Sequence, residues 1–410
     1  LEEKKVLVLL TDTYKPQICS ATSLMSELAE KLVGFNVKTI VLTPFPDNRV
    51  SSELETSALK KHEIINGVEV VRIKVPAVNR KNYILRGLST IAASKSFRKK
   101  CNSVLKNIHV DAFLCYSPPL NFVDAGLKLA KSKRSLAITL LRDLFPDNAI
   151  DLGILKNKLA IKYYLSVEKS VYKNSDFILP QSISNKRFLI NNKNISEKKL
   201  KVVYNWSNVD KYEKKSFLNY KEKWNLTDSL VVLYAGTMGP AQSLEEILYI
   251  AENTKNKNIK FLFVGNGVEK EKLIKYSNDK KLTNVIFKDY IEQEKYPDLV
   301  RSCDIGIISL SKKNHTDIVP GKLVGYLAGK LPIFANVNKE SVDLQEILNQ
   351  SKSGVFNTSE NKSEMLSKFN KLIEFSEERR VMGIKGNQYL KEHFEVSKVA
   401  EDILKLINER

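Results

Sequence analysis

The stretch VPGKLVGYLAG, from Val319 to Gly329, holds residue types suited to binding an anion. Val319 has no side-chain acceptor with which to cap a helix, whereas Pro320 suits a first helical position because it needs no N–H partner there. The amides of Gly321 and Lys322 would then be left at the positive end of the helix dipole, which favours phosphate oxygens. Lys322 would add a full charge to that end, although a lysine solvated on a surface helix is the plain alternative. A second group, Arg142 and Asp143 in LLRDLFPD, closes an apolar run, so it falls at the end of a strand, where open parallel sheets gather their ligands. The pair suits a polar ligand or a salt bridge that anchors its own loop. The run GNG, residues Gly265, Asn266 and Gly267, turns a third apolar stretch, either beside a ligand or simply as a turn.

The elements that must position these residues read as alternating strands and helices. KKVLVLLTD is a compact apolar run, SLMSELAEKLVGFN follows at helical spacing with a glycine stop, and VKTIVLTPFP reads as another buried strand. VEVVRIKVP, DAFLCYSPP, SLAITLLRD, DFILPQS and KVVYNWS extend the strand series. The order then restarts with SLVVLYAGTMG and SLEEILYIAENTK, IKFLFVGNG and VEKEKLIKYSN, NVIFKDY and KYPDLVRSC, and DIGIISLS. Strand, helix, strand repeated in this way predicts parallel sheets covered by helices, hence two doubly wound α/β domains. The poorly periodic, Lys/Asn-rich segment from Ser207 to Ser229 marks the join. KVAEDILKLINER has the pattern of an amphipathic helix, which commonly caps its own domain.

Composition narrows the partners. The 66 Lys and Arg against 47 Asp and Glu give a net charge of +19, which calls for an anionic partner: nucleic acid, an acidic membrane face or a phosphorylated substrate. No apolar run approaches the ~20 residues of a membrane span, and VLVLL suits a buried strand better than a signal peptide. Cys19, Cys101, Cys115 and Cys303 are scattered without metal-ligand spacing, so a reducing cytoplasm is the simplest compartment.

Four blocks in order, DTYKPQICSATSLMSELAEKL, LLRDLFPD, VVLYAGTMGPAQSLEEIL and IVPGKLVGYLAGKLPIF, resemble family four of the GT-B fold glycosyltransferases. The similarity is greatest to bacterial enzymes that build O-antigen or capsular polysaccharide, N-acetylfucosamine transferases among them. It implies two Rossmann-like domains facing a cleft: an acceptor domain over 1–206, a nucleotide-sugar domain over 207–390, and a C-terminal helix within 391–410 that crosses back to the first. It also implies retaining, metal-independent transfer of an N-acetylated hexosamine or 6-deoxyhexosamine from a UDP-linked donor to an undecaprenyl diphosphate-linked saccharide. No cofactor is implied.

Residue by residue, the resemblance puts Arg142 against the donor and Asp143 against acceptor hydroxyls. Gly236 and Thr237 open the donor loop, with Gly265, Asn266 and Gly267 close by. Thr237 and Gln242 stand where the family places an arginine and a lysine against the diphosphate, and they bring hydrogen bonds without charge. Pro320, Gly321 and Lys322 then carry the diphosphate. Asp317 and Gly325 stand where two glutamates, seven residues apart, hold the donor. Asp317 keeps a carboxylate for sugar hydroxyls, but Gly325 leaves the ribose without an acceptor, a loss on the order of 1.5–3 kcal/mol unless another group such as Glu340 replaces it. Cys19 and Ser20 occupy the place of a glycine pair in the first loop, where an ordinary strand-to-helix loop is the equal alternative.

Arg80 to Ile108, with Tyr83, Ile84, Leu85 and Leu88 among Arg86, Lys95, Arg98, Lys99 and Lys100, reads as a basic amphipathic segment. It suits the inner face of an anionic cytoplasmic membrane, or a solvated helix packed on the sheet. KNKLAIKYYLSVEKSVYKNS is a second, weaker stretch of the same kind. Other readings of the chain are a non-hydrolysing sugar-nucleotide epimerase and a non-catalytic nucleotide-sugar binder. Nucleic-acid binding ranks last, since no nucleic-acid motif accompanies the charge.

Overall fold

A computed structural model describes residues 4–17, 19–46, 59–77, 83–151, 153–215, 217–256, 258–312, 317 and 319–409, the side chains of 83–88 and 293 excepted. Contacts divide the chain into two units, Leu1–Tyr204 with Val396–Arg410, and Asn205–Glu395.

In the first unit the apolar runs form β1 (Val6–Leu10), β2 (Lys38–Pro44), β3 (His62–Ile65), β4 (Val68–Ile73), β5 (Ala112–Ser117), β6 (Leu136–Leu141) and β7 (Phe177–Pro180). They make one sheet in the order β3-β4-β2-β1-β5-β6-β7, parallel except for β3, which runs antiparallel to β4. Every residue of β5 and β6 is buried, as expected of strands covered on both faces. Leu7 pairs with Thr39 on one side and Ala112 on the other, so the sheet winds outward both ways from β1 and β5.

KVVYNWS is the exception to the sequence reading, because it forms no strand. The amides of Lys201 and Val203 reach the β7 carbonyls of Ile178 and Pro180, but only an isolated bridge, Ile178 to Leu200, results. The helix Val396–Asn408 closes this unit, burying Val396, Val399, Ala400, Ile403, Leu406 and Ile407 at three- and four-residue spacing and packing on the helix Ser20–Gly34.

The second unit holds β8 (Leu230–Ala235), β9 (Ile259–Val264), β10 (Val285–Lys288), β11 (Ile305–Ser309), β12 (Ile333–Asn336) and β13 (Gly354–Asn357). All are parallel, in the order β10-β9-β8-β11-β12-β13. The winding reverses between β8 and β11, which pair only over Ile305–Val232 and Gly306–Leu233. Beyond that point the strands part, and the crevice at their carboxyl ends is the position where open α/β sheets take ligands.

The basic segment from Arg80 to Ile108 is described only in part. Residues 80–82 and the side chains of 83–88 lie outside the described residues. Over the rest of the helix Tyr83–Val104, the apolar positions Ala93, Phe97 and Cys101 belong to the core of the first unit, with Phe97 edge-on to Phe122 at 5.2 Å. Those three positions are spent on the core, while the apolar side chains named for the membrane, Tyr83, Ile84, Leu85 and Leu88, lie outside the described residues. The C-terminal helix gives a direct test of the packing described above. Ile403→Ala should cost ~2–5 kcal/mol in denaturant unfolding, whereas the exposed Lys405→Ala should stay within about 0.5 kcal/mol.

Candidate active site

The second unit brings several of the sequence candidates together at the β8–β11 crevice. Gly236 follows β8 with φ of 139°, while Gly265 and Gly267 follow β9 with φ of 144° and 158°. A Cβ on Gly265 would lie 2.1 Å from the Gly236 carbonyl oxygen, and one on Gly267 equally close to that of Met238. The two loops therefore stack backbone on backbone, joined by Gly236 N–H to Val264 O and Met238 N–H to Asn266 O, both at 2.9 Å. GNG thus serves as the bed on which the Gly236–Met238 loop rests. The Asn266 side chain is taken up by Lys270.

Lys322 rises beside that loop. Its ammonium sits 3.6 Å from the centre of the Tyr234 ring and would lie 3.7 Å from a Cβ on Gly236. The tyrosine is itself fixed by its hydroxyl, which donates to the Thr237 carbonyl at 2.5 Å. Among the described residues no carboxylate or carbonyl pairs with this ammonium. Burial of the half-covered side chain lowers its pKa to about 7. A cation held on an aromatic face with its hydrogen-bonding shell unfilled is suited to phosphoryl oxygens.

What fixes Lys322 is Tyr326, one turn later. The Tyr326 hydroxyl enters where β8 and β11 part, accepting from Ala235 N–H and facing the carbonyls of Leu233 and Ile307, each at 3.3 Å. The ring fills the space over Gly306, where a Cβ would meet it at 2.5 Å. The helix Lys322–Ala328 is short, and Pro320 precedes it rather than opening it. The Pro320 carbonyl accepts from Leu323 N–H at 3.0 Å, and Gly321 lies helical at φ of −57° on the exposed side.

Other expectations fall to structural roles. Asp317 Oδ2 accepts from the Asp343 amide at 2.9 Å and so caps the helix Val342–Ser351. Gln242 turns back on its own loop, its side-chain oxygen accepting from Gly239 N–H at 3.1 Å, while Thr237 is exposed. Gly325 is buried, and a Cβ there would lie 2.8 Å from Tyr296 Cε1, 2.9 Å from its hydroxyl and 3.3 Å from that of Tyr212. Two tyrosines occupy the room a glutamate would need. Glu340 is exposed in the turn ahead of Ser341, where its backbone carbonyl accepts from Val342 N–H at 2.8 Å.

In the first unit the corresponding place is the carboxyl ends of β1, β5 and β6. The Tyr116 phenol lies among Arg142, Asp143, Asp12 and Cys19, whose charges all act on it. Arg142 is buried and donates from Nη2 to the Leu179 carbonyl at 2.9 Å, so part of its guanidinium ties β6 to β7. Burial lowers its pKa to about 10. Asp143, in contrast, is exposed; the crowded loop raises its pKa and Arg142 opposes the rise, both screened by water. Asp12, missed in the sequence, follows β1 half-buried, and burial pushes its carboxyl up to about 6. Cys19 caps the helix Ser20–Gly34, its sulfur accepting from Thr22 N–H at 3.5 Å, so Cys19 and Ser20 start a helix. One signal was available: β5 and β8 both place a tyrosine next to last, Tyr116 and Tyr234, and each meets a cation.

Two substitutions test this arrangement. Tyr326→Phe leaves the Ala235 N–H without its acceptor and should cost ~1–3 kcal/mol in denaturant unfolding. Gly325→Glu should overpack against Tyr296 and Tyr212 and lose at least ~1–3 kcal/mol. A G325E variant that melts like the parent would show that those tyrosines yield the space freely.

Residues 216–389 match the family described as "Glycosyl transferases group 1". WcaI of Escherichia coli (strain K12), a glycosyl transferase named for colanic acid biosynthesis, is 23% identical over 328 residues, covering 77% of this chain and 79% of that protein. Among solved structures, sucrose-phosphate synthase from Thermosynechococcus elongatus superposes with a TM-score of 0.76 at 13% identity, over 99% of each chain. Anabaena HepE, solved in complex with UDP and glucose, gives 0.72 at 13% identity over 99% of this chain and 100% of its own. With two parallel-sheet units of this kind the chain has the GT-B fold, and residues 216–389 of its second unit match the glycosyl transferases group 1 family.

Proposed function

We propose that this chain transfers an N-acetylated hexosamine or 6-deoxyhexosamine, with retention, from a UDP-linked donor to a saccharide carried on undecaprenyl diphosphate, in the building of a surface polysaccharide. The observation that carries the donor half is Lys322, a cation on the face of Tyr234 beside the Gly236 loop, with no partner among the described residues. The name of the WcaI relative supports the polysaccharide setting. In this reading the second unit binds the donor and the first unit binds the acceptor through Asp143, with Asp12 close behind it.

As the glycosidic bond breaks, positive charge grows on the sugar and negative charge on the departing diphosphate. Lys322 and the loop amides around Gly236 stabilise that departing charge without a metal ion. The acceptor oxygen attacks from the face the diphosphate leaves. Its proton passes to the phosphate oxygen that has just lost the sugar, so no protein nucleophile is required. Gly325 and its two tyrosines leave the ribose without a carboxylate partner, so more of the donor affinity rests on the phosphates. The chain works at the inner face of the cytoplasmic membrane, a placement supported by its net charge of +19.

Incubation with UDP-, GDP- and dTDP-sugars and lipid-linked acceptors, followed by nucleotide release and product mass, tests the reading. Transfer from a UDP-sugar is expected; donor conversion without acceptor would instead make the protein an epimerase, and binding without turnover a non-catalytic binder. The pH dependence of UDP binding isolates Lys322. Its pKa of about 7 means the free ammonium is largely neutral above that value, while a bound diphosphate favours the charged form. Affinity should therefore fall as pH rises from 7 to 9, by up to ~10-fold per unit, with proton uptake seen by calorimetry. Lys322→Met should bind weakly at every pH and lose this slope, and Lys322→Arg should keep its charge throughout.

A further inference from the structure

The first unit carries a surface that its own core does not explain. The helix Lys158–Asn174 packs through Val171 and Tyr172, with Glu168 buried beside them and engaged by Lys193 and Tyr172. Its opposite face presents Lys158, Lys162, Leu165 and Lys169, spaced at four, three and four residues along one line, with Leu159 beside them. Leu159 is 79% exposed, and in the turn ahead of the helix Ile154 is 61% exposed. Among the described residues, none of Lys158, Lys162 and Lys169 has an ion pair or a hydrogen-bonded partner for its ammonium. The one carboxylate on this helix, Glu168, points inward.

We propose that this face is a binding surface for anionic lipid headgroups, with Ile154 and Leu159 entering the acyl boundary between lysines that stay at the phosphate level. Lysines alone would suit any polyanion. Two large aliphatic side chains standing in water beside them need an apolar sink, which a bilayer supplies and a nucleic-acid backbone does not. The helix also joins this surface to the candidate acceptor site. Phe145, two residues after Asp143, packs edge-on against Tyr164 of the same helix at 5.0 Å. A membrane seated on the exposed face would therefore lie on the segment that leads directly from Asp143, and a lipid-borne acceptor could be met without leaving the bilayer. This assigns a membrane contact to residues 154–169, whereas in the segment from Arg80 to Ile108 Ala93, Phe97 and Cys101 are taken up by the core. It deepens the membrane part of the proposed function and rests on that reading only for the lipid-linked acceptor.

The test is co-sedimentation of the full chain with phosphatidylcholine vesicles with and without phosphatidylglycerol, at low and high salt, beside a fluorescence assay with single-stranded RNA. Wild type should bind the phosphatidylglycerol vesicles and be partly released by salt. The triple variant K158E/K162E/K169E should lose on the order of 100-fold in partition coefficient. I154S/L159S should lose ~10-fold or more, keeping a weak binding that salt abolishes. Thermal melts should match wild type for both variants, since every altered side chain is exposed. Vesicle binding unchanged in both variants, or wild type that ignores phosphatidylglycerol, would overturn the proposal. So would a triple variant that loses RNA binding while I154S/L159S binds vesicles like wild type, because the face would then be a nucleic-acid surface. Donor turnover with a detergent-dispersed acceptor separates the two claims. Turnover without the vesicle pattern sinks the surface alone, and the vesicle pattern without turnover sinks the transferase reading alone.

Discussion

The Tyr326 hydroxyl, lodged where β8 and β11 part, is the interaction on which the candidate donor site depends. A parallel sheet that reverses its winding must open between two strands, and the opening exposes backbone groups that would otherwise pair. Here a single phenol satisfies the Ala235 amide and lies against two carbonyls, while its ring covers Gly306. Because Tyr326 lies one helical turn beyond Lys322, the same contact sets the height of the lysine over Tyr234. The gap in the sheet and the cation beside it are thus one construction. Stacked glycine loops at Gly236 and Gly265 complete it by letting the β8 and β9 ends approach backbone to backbone.

The departure at Gly325 follows from the same helix. With Tyr326 directed between the strands, residue 325 turns toward Tyr296 and Tyr212, which fill the space beside it. A side chain there would have to displace aromatic rings, so glycine is a packing requirement of this chain as well as the loss of a carboxylate. Asp317 shows the other side of the matter. Its carboxylate survives in the sequence, but one of its oxygens caps the helix Val342–Ser351, so residue type alone overstated its availability for a ligand. Arg142 is a milder case, being buried and bonded to the end of β7, while its neighbour Asp143 is left exposed.

The positive charge is distributed rather than concentrated at the site. Many lysines are paired across the surface, such as Lys186 with Glu197 and Lys280 with Glu252. The face of the helix Lys158–Asn174 differs because its acid is turned inward and its lysines stand beside exposed aliphatic side chains. The two basic stretches look alike in the sequence, since both mix lysines with apolar residues at helical spacing. Among the described residues the two differ in what their apolar side chains meet: Phe97 meets Phe122 in the core, and Leu159 meets water.

The sequence by itself determined the alternation of strands and helices, the two α/β units and the helical pattern of the last residues. Those follow from periodicity, which is a local property of the chain. It also singled out Lys322, the GNG turn and Asp143. What it could not carry was which candidates point at open space. KVVYNWS has the apolar content of a strand but finds pairing on one side only, and Asp12 gains its raised pKa from burial by distant residues. Tyr326, Tyr296 and Tyr116 act through neighbours far away in the chain. Only the tertiary structure decided these, because burial, hydrogen-bond capture and the filling of a Cβ position are set by what arrives from elsewhere in the chain.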